Sequence, residues 1–534
     1  MRTIILFYAI SMMSICNTWA QEETLQKSES DDASKILEEK AICQNLKNYI
    51  IKEKFPVNCE QSYFLFGAHV KDSESKSTKN SLKIANYNLL HPGTSKSLYK
   101  DYELVAKVAN MFDVIAAEEV LSLVGHDANV NSTIDDYINS NSFIGTPKEL
   151  QKIKDIYRAP GYLKLLLELK KLDPSWSLIL SPRGDAALQG SVEEHVGVFY
   201  RASIVSLENN PYCADKDSNK KSSAHYGCII DYGSDNEFVS RRPFLTSFKA
   251  KSFQFSILAS HVVFNYAGDD EAVTRLVKKI FNANSIPEVG FGLNQSNFAR
   301  FAEVKLALEF IKKFSTKYKN NRIIFSSDTN LNPDVDYWGE LLKINEYSKV
   351  LISDPTTVSP GRFKKETEET NGVANSYDHF VLNENEFKNC DNGEVYNYYN
   401  SPVQADIENR YMIRSIRSSS KSLHLENRFV DLNGNNLDDE DEHPEDNTTL
   451  DLDYPLTKAG EIKMNKVAFE YENSLKTQYT LRRGTIVVDD YQVAERVDGL
   501  KKRLFLKQLT NSYYYRFYQE ILSDHFPVSI KCKI

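Results

Sequence analysis

Positive charge is what this chain is short of. Its 534 residues carry 65 Lys+Arg against 74 Asp+Glu, a formal net charge of -9. That balance excludes a protein that coats nucleic acid through a global basic footprint, while leaving room for a few local phosphate contacts. Long apolar runs are also missing: beyond the N-terminus no segment reads as transmembrane. The seven cysteines include no close pair, and no His lies at finger spacing, which argues against a zinc module. The stretch Asp431-Leu432-Asn433-Gly434-Asn435 has its glycine at the fourth position, not the sixth, so the EF-hand loop is excluded as well.

Hydrophobic content of 41% and charged content of 26% are those of a globular protein. The length suits two or three domains, or one large domain with insertions. The N-terminus has the pattern of a secretory signal: Arg2, an apolar core Ile4 to Ile15, and Thr18-Trp19-Ala20 before Gln21. Cleavage after Ala20 predicts a secreted or periplasmic protein. Cys43, Cys59, Cys213, Cys228, Cys390 and Cys532 then remain, an even number that suggests disulfides in an oxidising compartment. Many pairings are open to six cysteines. Short loops favour Cys43–Cys59 and Cys213–Cys228 by closure entropy, which leaves Cys390–Cys532.

Five stretches of chain are expected. Residues 1–20 form the signal. Residues 21–80 form a polar extension with a helix near Ala41 to Glu53. Residues 81–390 alternate strands with helices, which predicts mixed sheets with helices outside them, an α/β (α+β) architecture. The strands are Leu82–Tyr87, Val114–Ala117, Val196–Tyr200, Pro243–Phe248, Phe255–Ser260 and Ile323–Phe325. The helices are Leu98–Phe112, Glu149–Leu172 (interrupted at Pro160-Gly161) and Asn297–Phe314. Residues 391–504 read as an insertion: an acidic, turn-rich run at 428–453, a helical stretch at 458–475 and a strand at 485–488. Residues 505–534 return to the core with its last strand.

Polar residues recur at the strand ends. Asn88 closes the first strand and Glu119 follows the second. Glu194 precedes the third. Arg241 sits in Ser240-Arg241-Arg242-Pro243-Phe244, and His261 ends Ile257 to His261. Asp328 and Asn330 lie in Ser326-Ser327-Asp328-Thr329-Asn330, and Asp378 in Tyr377-Asp378-His379. Asp524 and His525 lead into Phe526-Pro527-Val528. Taken singly, each has an ordinary explanation: a turn residue, a solvated strand end, a core histidine, a surface arginine pair. His379 stays in that ordinary class. In order, the set resembles the endonuclease/exonuclease/phosphatase superfamily, and within it the deoxyribonuclease I branch. The resemblance covers about Ser81 to Leu382 and resumes near Leu522.

That resemblance implies a four-layer sandwich of two mainly antiparallel sheets flanked by helices, with a large insertion before the last strand. It pairs Glu194 with His261 and Asp378 with His525. It gives Asp328 and Asn330 the positioning of water and a phosphate oxygen, Asp524 a further metal contact, and Arg241 a phosphate clamp. The residue chemistry agrees. Phosphodiester hydrolysis needs a divalent cation, an activated water and charge on the developing phosphorane. Glu119, assisted by Asn88, offers hard oxygen donors suited to Mg²⁺, with Ca²⁺ or Mn²⁺ as further candidates. His261 and His525 are the acid/base pair. Where the branch has an Arg that reaches into the DNA minor groove two residues beyond the metal-binding Glu, and a Tyr that stacks on a sugar two before the acid matching Glu194, this chain has Leu121 and Val192. Ser327 replaces a common Gly.

The expected activity is therefore a metal-dependent nuclease of low sequence specificity, with DNA or RNA as substrate, no stable membrane insertion and no implied protein partner. The basic stretches Arg414 to Arg417 with Lys421, and Lys501-Lys502-Arg503, are candidate phosphate contacts. The alternative is a sphingomyelinase-type phospholipid phosphodiesterase, for which Tyr513-Tyr514-Tyr515 and Phe517 would meet a bilayer. A catalytically dead binding module would have lost a proton-transfer or metal position, and none is lost.

Overall fold

The computed structural model describes residues 57–59, 62–67, 79–90, 100–121, 160–182, 194–216, 224–264, 266, 268–320, 322–344, 348–350, 352–359, 372–404, 406, 518–519 and 521–534. The expected signal, the helices at 41–53 and 458–475, the acidic run, the strand at 485–488, the two basic stretches and Tyr513 to Phe517 lie outside the described residues.

The strands in chain order are β1 (Val57–Cys59), β2 (Phe64–Phe66), β3 (Ser81–Asn88), β4 (Val114–Leu121), β5 (Trp176–Leu180), β6 (Glu194–Arg201), β7 (Ser206–Leu207), β8 (Gly227–Ile229), β9 (Phe244–Ala250), β10 (Phe253–His261), β11 (Ile323–Asp328), β12 (Ser348–Val350), β13 (Asp378–Asn383), β14 (Glu394–Val395) and β15 (Val528–Lys533). Among the described residues they form two sheets. One has the order β1-β2-β5-β6-β4-β3-β15-β14, the other β12-β13-β11-β10-β9-β7 with β8 on β9. Only β3–β4 and β10–β11 pair in parallel; the other ladders are antiparallel.

Alternation along the strands divides the apolar residues into layers. Ile84, Val114 and Val198 from the first sheet meet Phe244, Ile257 and Phe380 from the second in an inter-sheet core. The opposite face of the first sheet, with Tyr87, Ile115 and Phe199, is covered by helices Tyr102–Ala109 and Gly161–Leu172 through Leu104, Val108, Leu163 and Leu166. The outer face of the second, with Leu245, Leu258 and Phe325, lies under helix Phe298–Tyr318 through Phe301, Val304 and Leu308. The result is four layers: helix, sheet, sheet, helix. The first helix starts where expected for chemical reasons: the Asp101 side chain accepts from Leu104 N at 3.3 Å and caps it. No helix among the described residues is long and apolar enough to cross a membrane.

Two expected boundaries move. β1 and β2 belong to the stretch read as an extension, yet they add to the sheet edge through β5. Residues 391–404 were expected to open the insertion, yet β14 pairs with β15 and Tyr398 and Val403 enter the core. Strands of two or three residues are too short to display alternation, which is why the sequence conceals them.

Cys213–Cys228 and Cys390–Cys532 are disulfides, as expected. Cys59 is disulfide-bonded too; Cys43 lies outside the described residues. Cys390–Cys532 closes a sequence separation of 142 residues onto β15, the strand next to β3. Replacing both cysteines by serine should cost about 2–5 kcal/mol and lower the melting temperature under oxidising conditions. An unchanged melting temperature would show that this closure does not stabilise the fold.

Candidate active site

The site is the polar end of the inter-sheet core. On β3, Leu82 and Ile84 face that core, so Asn86 and Asn88 share their side. The same period carries Val114 and Ala116 to Glu118 on β4, Ile257 and Ala259 to His261 on β10, and Ile324 to Ser326 and Asp328 on β11. Val198 and Val196 lead back to Glu194 at the start of β6, and Leu382 and Phe380 to Asp378 at the start of β13. Register aligns these ends: His261 stands beside Asp328, and Asp328 beside Asp378.

Strict alternation would send Glu118 and Glu119 to opposite faces. A register shift between Ala117 and Val120, with Glu119 at φ 52°, breaks it. Such a bulge re-aims one side chain, and both carboxylates reach the cleft.

Two imidazoles meet at one carboxylate oxygen. His261 Nδ1 lies 2.8 Å from Glu194 Oε2 and its Nε2 3.8 Å from Asp328 Oδ2. His525 Nδ1 lies 2.7 Å from Asp378 Oδ2 and its Nε2 3.5 Å from the same Asp328 oxygen. Each ring is thus fixed through Nδ1, with Nε2 turned to the centre. Asn88 Nδ2 donates to Glu119 Oε1 and to Asp328 Oδ2, both at 3.0 Å, while its Oδ1 accepts from Leu90 N. Expected to assist at a metal, Asn88 here bridges two carboxylates. Asn330 N donates to Asp328 Oδ1, and its side-chain amide donates to Val262 O, each at 3.0 Å. Arg241, expected to clamp phosphate, sits against Glu194 Oε1 at 2.8 Å with its side chain 13% exposed.

The sequence singled out neither Glu118 nor Asn86, yet both lie directly beneath this centre. Asn86 Nδ2 bridges Glu118 Oε2 (3.2 Å) and Asp378 Oδ1 (3.3 Å), and Asp328 N donates to Glu118 Oε2 at 3.1 Å. Their parity with Ile84 and Ala116 was the available signal. Tyr398 was missed for another reason, its placement in the expected insertion. It donates to the His525 carbonyl (2.6 Å) and shares a hydrogen bond with the Tyr87 hydroxyl (2.8 Å). Behind Arg241, the buried Glu303 accepts from Ser240 N (2.7 Å) and Ser240 Oγ (3.0 Å). His379 is a core histidine as read: its Nε2 meets Leu331 O at 2.7 Å, and burial pushes its pKa down to about 4. Leu121, in the place of the branch's groove-reading Arg, is buried opposite Glu194 in the β4–β6 ladder. Val192 is outside the described residues.

Charge in the cleft is out of balance. Glu118, Glu119, Glu194, Asp328, Asp378 and Asp524 face, among the described residues, the cations His261, His525, Arg241 and Arg300. Burial raises the Glu118 pKa well above the ordinary carboxylate value, and the charges of Asp328 and Asp378 add to it. Burial also raises Glu119, with His261 opposing and Asp524 and Glu194 adding. Burial alone would raise Asp328, but the two imidazoles bring it below its usual value. Burial alone would lower both histidines; carboxylates reverse the sign, so that His261 is raised and His525 raised well above the ordinary imidazole value.

Such a cluster fits a divalent cation. Donor atoms of Glu119, His261 and Asp328 lie within 4.8 Å of one another, as do those of Asp328, Asp378 and His525. Asp524 Oδ1 is buried with no hydrogen-bond partner among the described residues, and its charge acts on Glu119. The carboxylates of Glu119, Asp328 and Asp524 are the hard donors that Mg²⁺ or Ca²⁺ takes. Bound there, the cation would neutralise charge on a phosphoryl oxygen.

The fold is therefore a four-layer α/β sandwich whose two sheets enclose a carboxylate–histidine centre. No protein-family model matches the chain, and no curated protein matches it. Solved structures to which it is similar include an endonuclease/exonuclease/phosphatase family protein from Bacteroides thetaiotaomicron, at 14% identity and TM-score 0.29, covering 57% of this chain and 81% of that one. Others are the human Nocturnin catalytic domain with bound sulfate (11%, 0.31, 59% and 84%) and D. rerio TDP2 with a single-strand DNA product (11%, 0.28, 57% and 84%).

Two predictions follow from the charge balance. Adding Mg²⁺ to chelator-treated protein should release protons from the raised carboxyls and increase the melting temperature; Glu119→Gln should remove most of both effects. Calorimetry in buffers of different ionisation enthalpy reads the proton count, and a zero count would contradict the charge argument. The second concerns His525 in metal-free protein. Its folded pKa lies above the unfolded value of about 6.5, so its pairing stabilises fully below that pH. The contribution is lost as pH rises through the folded value. Asp378→Asn should flatten the fall of melting temperature above pH ~6.5 and return the His525 NMR titration toward the ordinary range.

Proposed function

We propose that this chain is a divalent-metal-dependent phosphodiester hydrolase of the endonuclease/exonuclease/phosphatase type, and more narrowly a secreted nuclease that cleaves DNA or RNA with little sequence preference. The observation that carries the reading is the convergence of two carboxylate-backed Nε2 atoms on Asp328 Oδ2. With Nδ1 engaged by a carboxylate, a neutral ring presents Nε2 as a base and a protonated ring presents Nε2–H as an acid. Hydrolysis needs one of each.

The surroundings polarise the pair. Glu194 is shared between His261 and Arg241, which weakens its hold on the His261 proton. Both Asp378 and Asp328 favour the His525 proton. His261 then takes the proton from the attacking water as its oxygen bonds to phosphorus. His525 gives a proton to the oxygen that departs as the old P–O bond breaks. Arg241 stands behind Glu194 and keeps the His261 ring oriented. Secretion rests on the N-terminal pattern alone: Arg2, the apolar core and the small residues before Gln21.

Purified protein with Mg²⁺ should nick plasmid DNA or degrade RNA, and EDTA should abolish this. His261→Ala and His525→Ala should each lower turnover by about 10²–10⁴-fold. Release of phosphocholine from sphingomyelin with nucleic acids left intact would replace the nuclease reading with the phospholipid one. Full activity in either histidine variant would overturn the assigned roles.

A further inference from the structure

Phe264 is the most exposed of the large apolar side chains among the described residues, at 55%. It stands three residues past His261, a span of at most about 11 Å along the backbone. Its position is fixed rather than loose. Arg300, on helix Phe298–Tyr318, donates from Nε (2.9 Å) and Nη2 (2.5 Å) to the Phe264 carbonyl. Arg300 Nη1 donates to the Asn330 carbonyl at 2.6 Å, which ties the Phe264 backbone to the turn that holds Asp328. The guanidinium carbon lies 5.0 Å from the ring centroid. A single side chain thus joins three segments of the site and holds a bare aromatic ring at its rim.

We propose that Phe264, braced by Arg300, is the platform on which an unpaired base of a single-stranded nucleic acid stacks while the neighbouring phosphate lies between His261 and His525. The inference rests on the nuclease reading. Base stacking on an aromatic ring tolerates any sequence, because every base has a π-face, and an adjacent guanidinium adds a cation–π contribution. A base inside a duplex gives both faces to its neighbours, so only an unpaired one can use the ring. Leu121, buried in the β4–β6 ladder, offers nothing to a duplex groove. The platform and this missing reader favour the same substrate class.

The test uses the full chain carrying His525→Ala, which should bind without cleaving, and single-stranded oligonucleotides with one 2-aminopurine moved along the strand. Stacking should quench emission at a position flanking the scissile phosphate. Phe264→Ala in that background should restore the emission and raise the dissociation constant about tenfold, and Phe264→Trp should retain both quenching and affinity. Removing an exposed ring leaves no cavity, so loss of fold does not confuse the result; circular dichroism checks it. Cleavage of single strands by wild type, with Phe264→Ala binding as tightly as its parent, overturns the platform alone. Wild type that cleaves no nucleic acid overturns the nuclease reading and the platform with it.

Discussion

Asp328 is the group on which the two sheets close. It belongs to the second sheet and is 1% exposed, yet its Oδ2 accepts from Asn88 and its backbone N–H donates to Glu118, both of the first sheet. A buried carboxylate without such donors would be strongly unfavourable, and several in one cleft repel one another. Donors and imidazoles shared between neighbours are what make the cluster tolerable. Asn86 serves Glu118 and Asp378, Asn88 serves Glu119 and Asp328, and both histidines face Asp328. The excess of acid that remains fits a divalent cation. The same arrangement would hold that cation beside the two imidazoles.

Much of this was legible through the order of polar strand ends along the chain, which marked as a set residues that read singly as turn residues, strand ends or core histidines. Strand parity agrees with that order: Ala259 to His261, Ile324 to Asp328 and Phe380 back to Asp378 each continue a buried face. What the pattern cannot convey is partnership. Glu118 and Asn86 obey the same parity, but nothing local says that they meet beneath Asp328 across two strands. Glu119 reaches the cleft only through a bulge, and the sequence Glu118-Glu119 does not announce where alternation breaks. Tyr398 follows a two-residue strand in a polar stretch, so neither its burial nor its bond to His525 O has a local signature. The resemblance in motif order recovered the pairs Glu194–His261 and Asp378–His525, which parity alone could not.

The two imidazoles are held by different parts of the molecule. His525 precedes β15, with Tyr398 on its carbonyl and the Cys390–Cys532 bond tying β15 to the segment before β14. His261 is governed from the outer helix Phe298–Tyr318. Glu303 on that helix grips Ser240, the residue before Arg241, which in turn pairs with Glu194. Arg300, on the same helix face, grips Phe264 and Asn330 on the other side of His261. Three residues of helix rise about 4.5 Å, so one rigid element sets the spacing of the two loops that bracket His261. Burial raises the Glu303 pKa to about 7 against the pull of the Ser240 donors, and that cost is accepted where an apolar residue would have packed as well. A buried acid in a helix layer is unnecessary for covering a sheet; its presence makes sense when the layer must also fix the loop that orients the His261 ring. Alignment of His261 with His525 at Asp328 thus depends on an outer helix and a terminal strand that touch the site from opposite sides, and loosening either would separate the pair without altering a residue in the cleft.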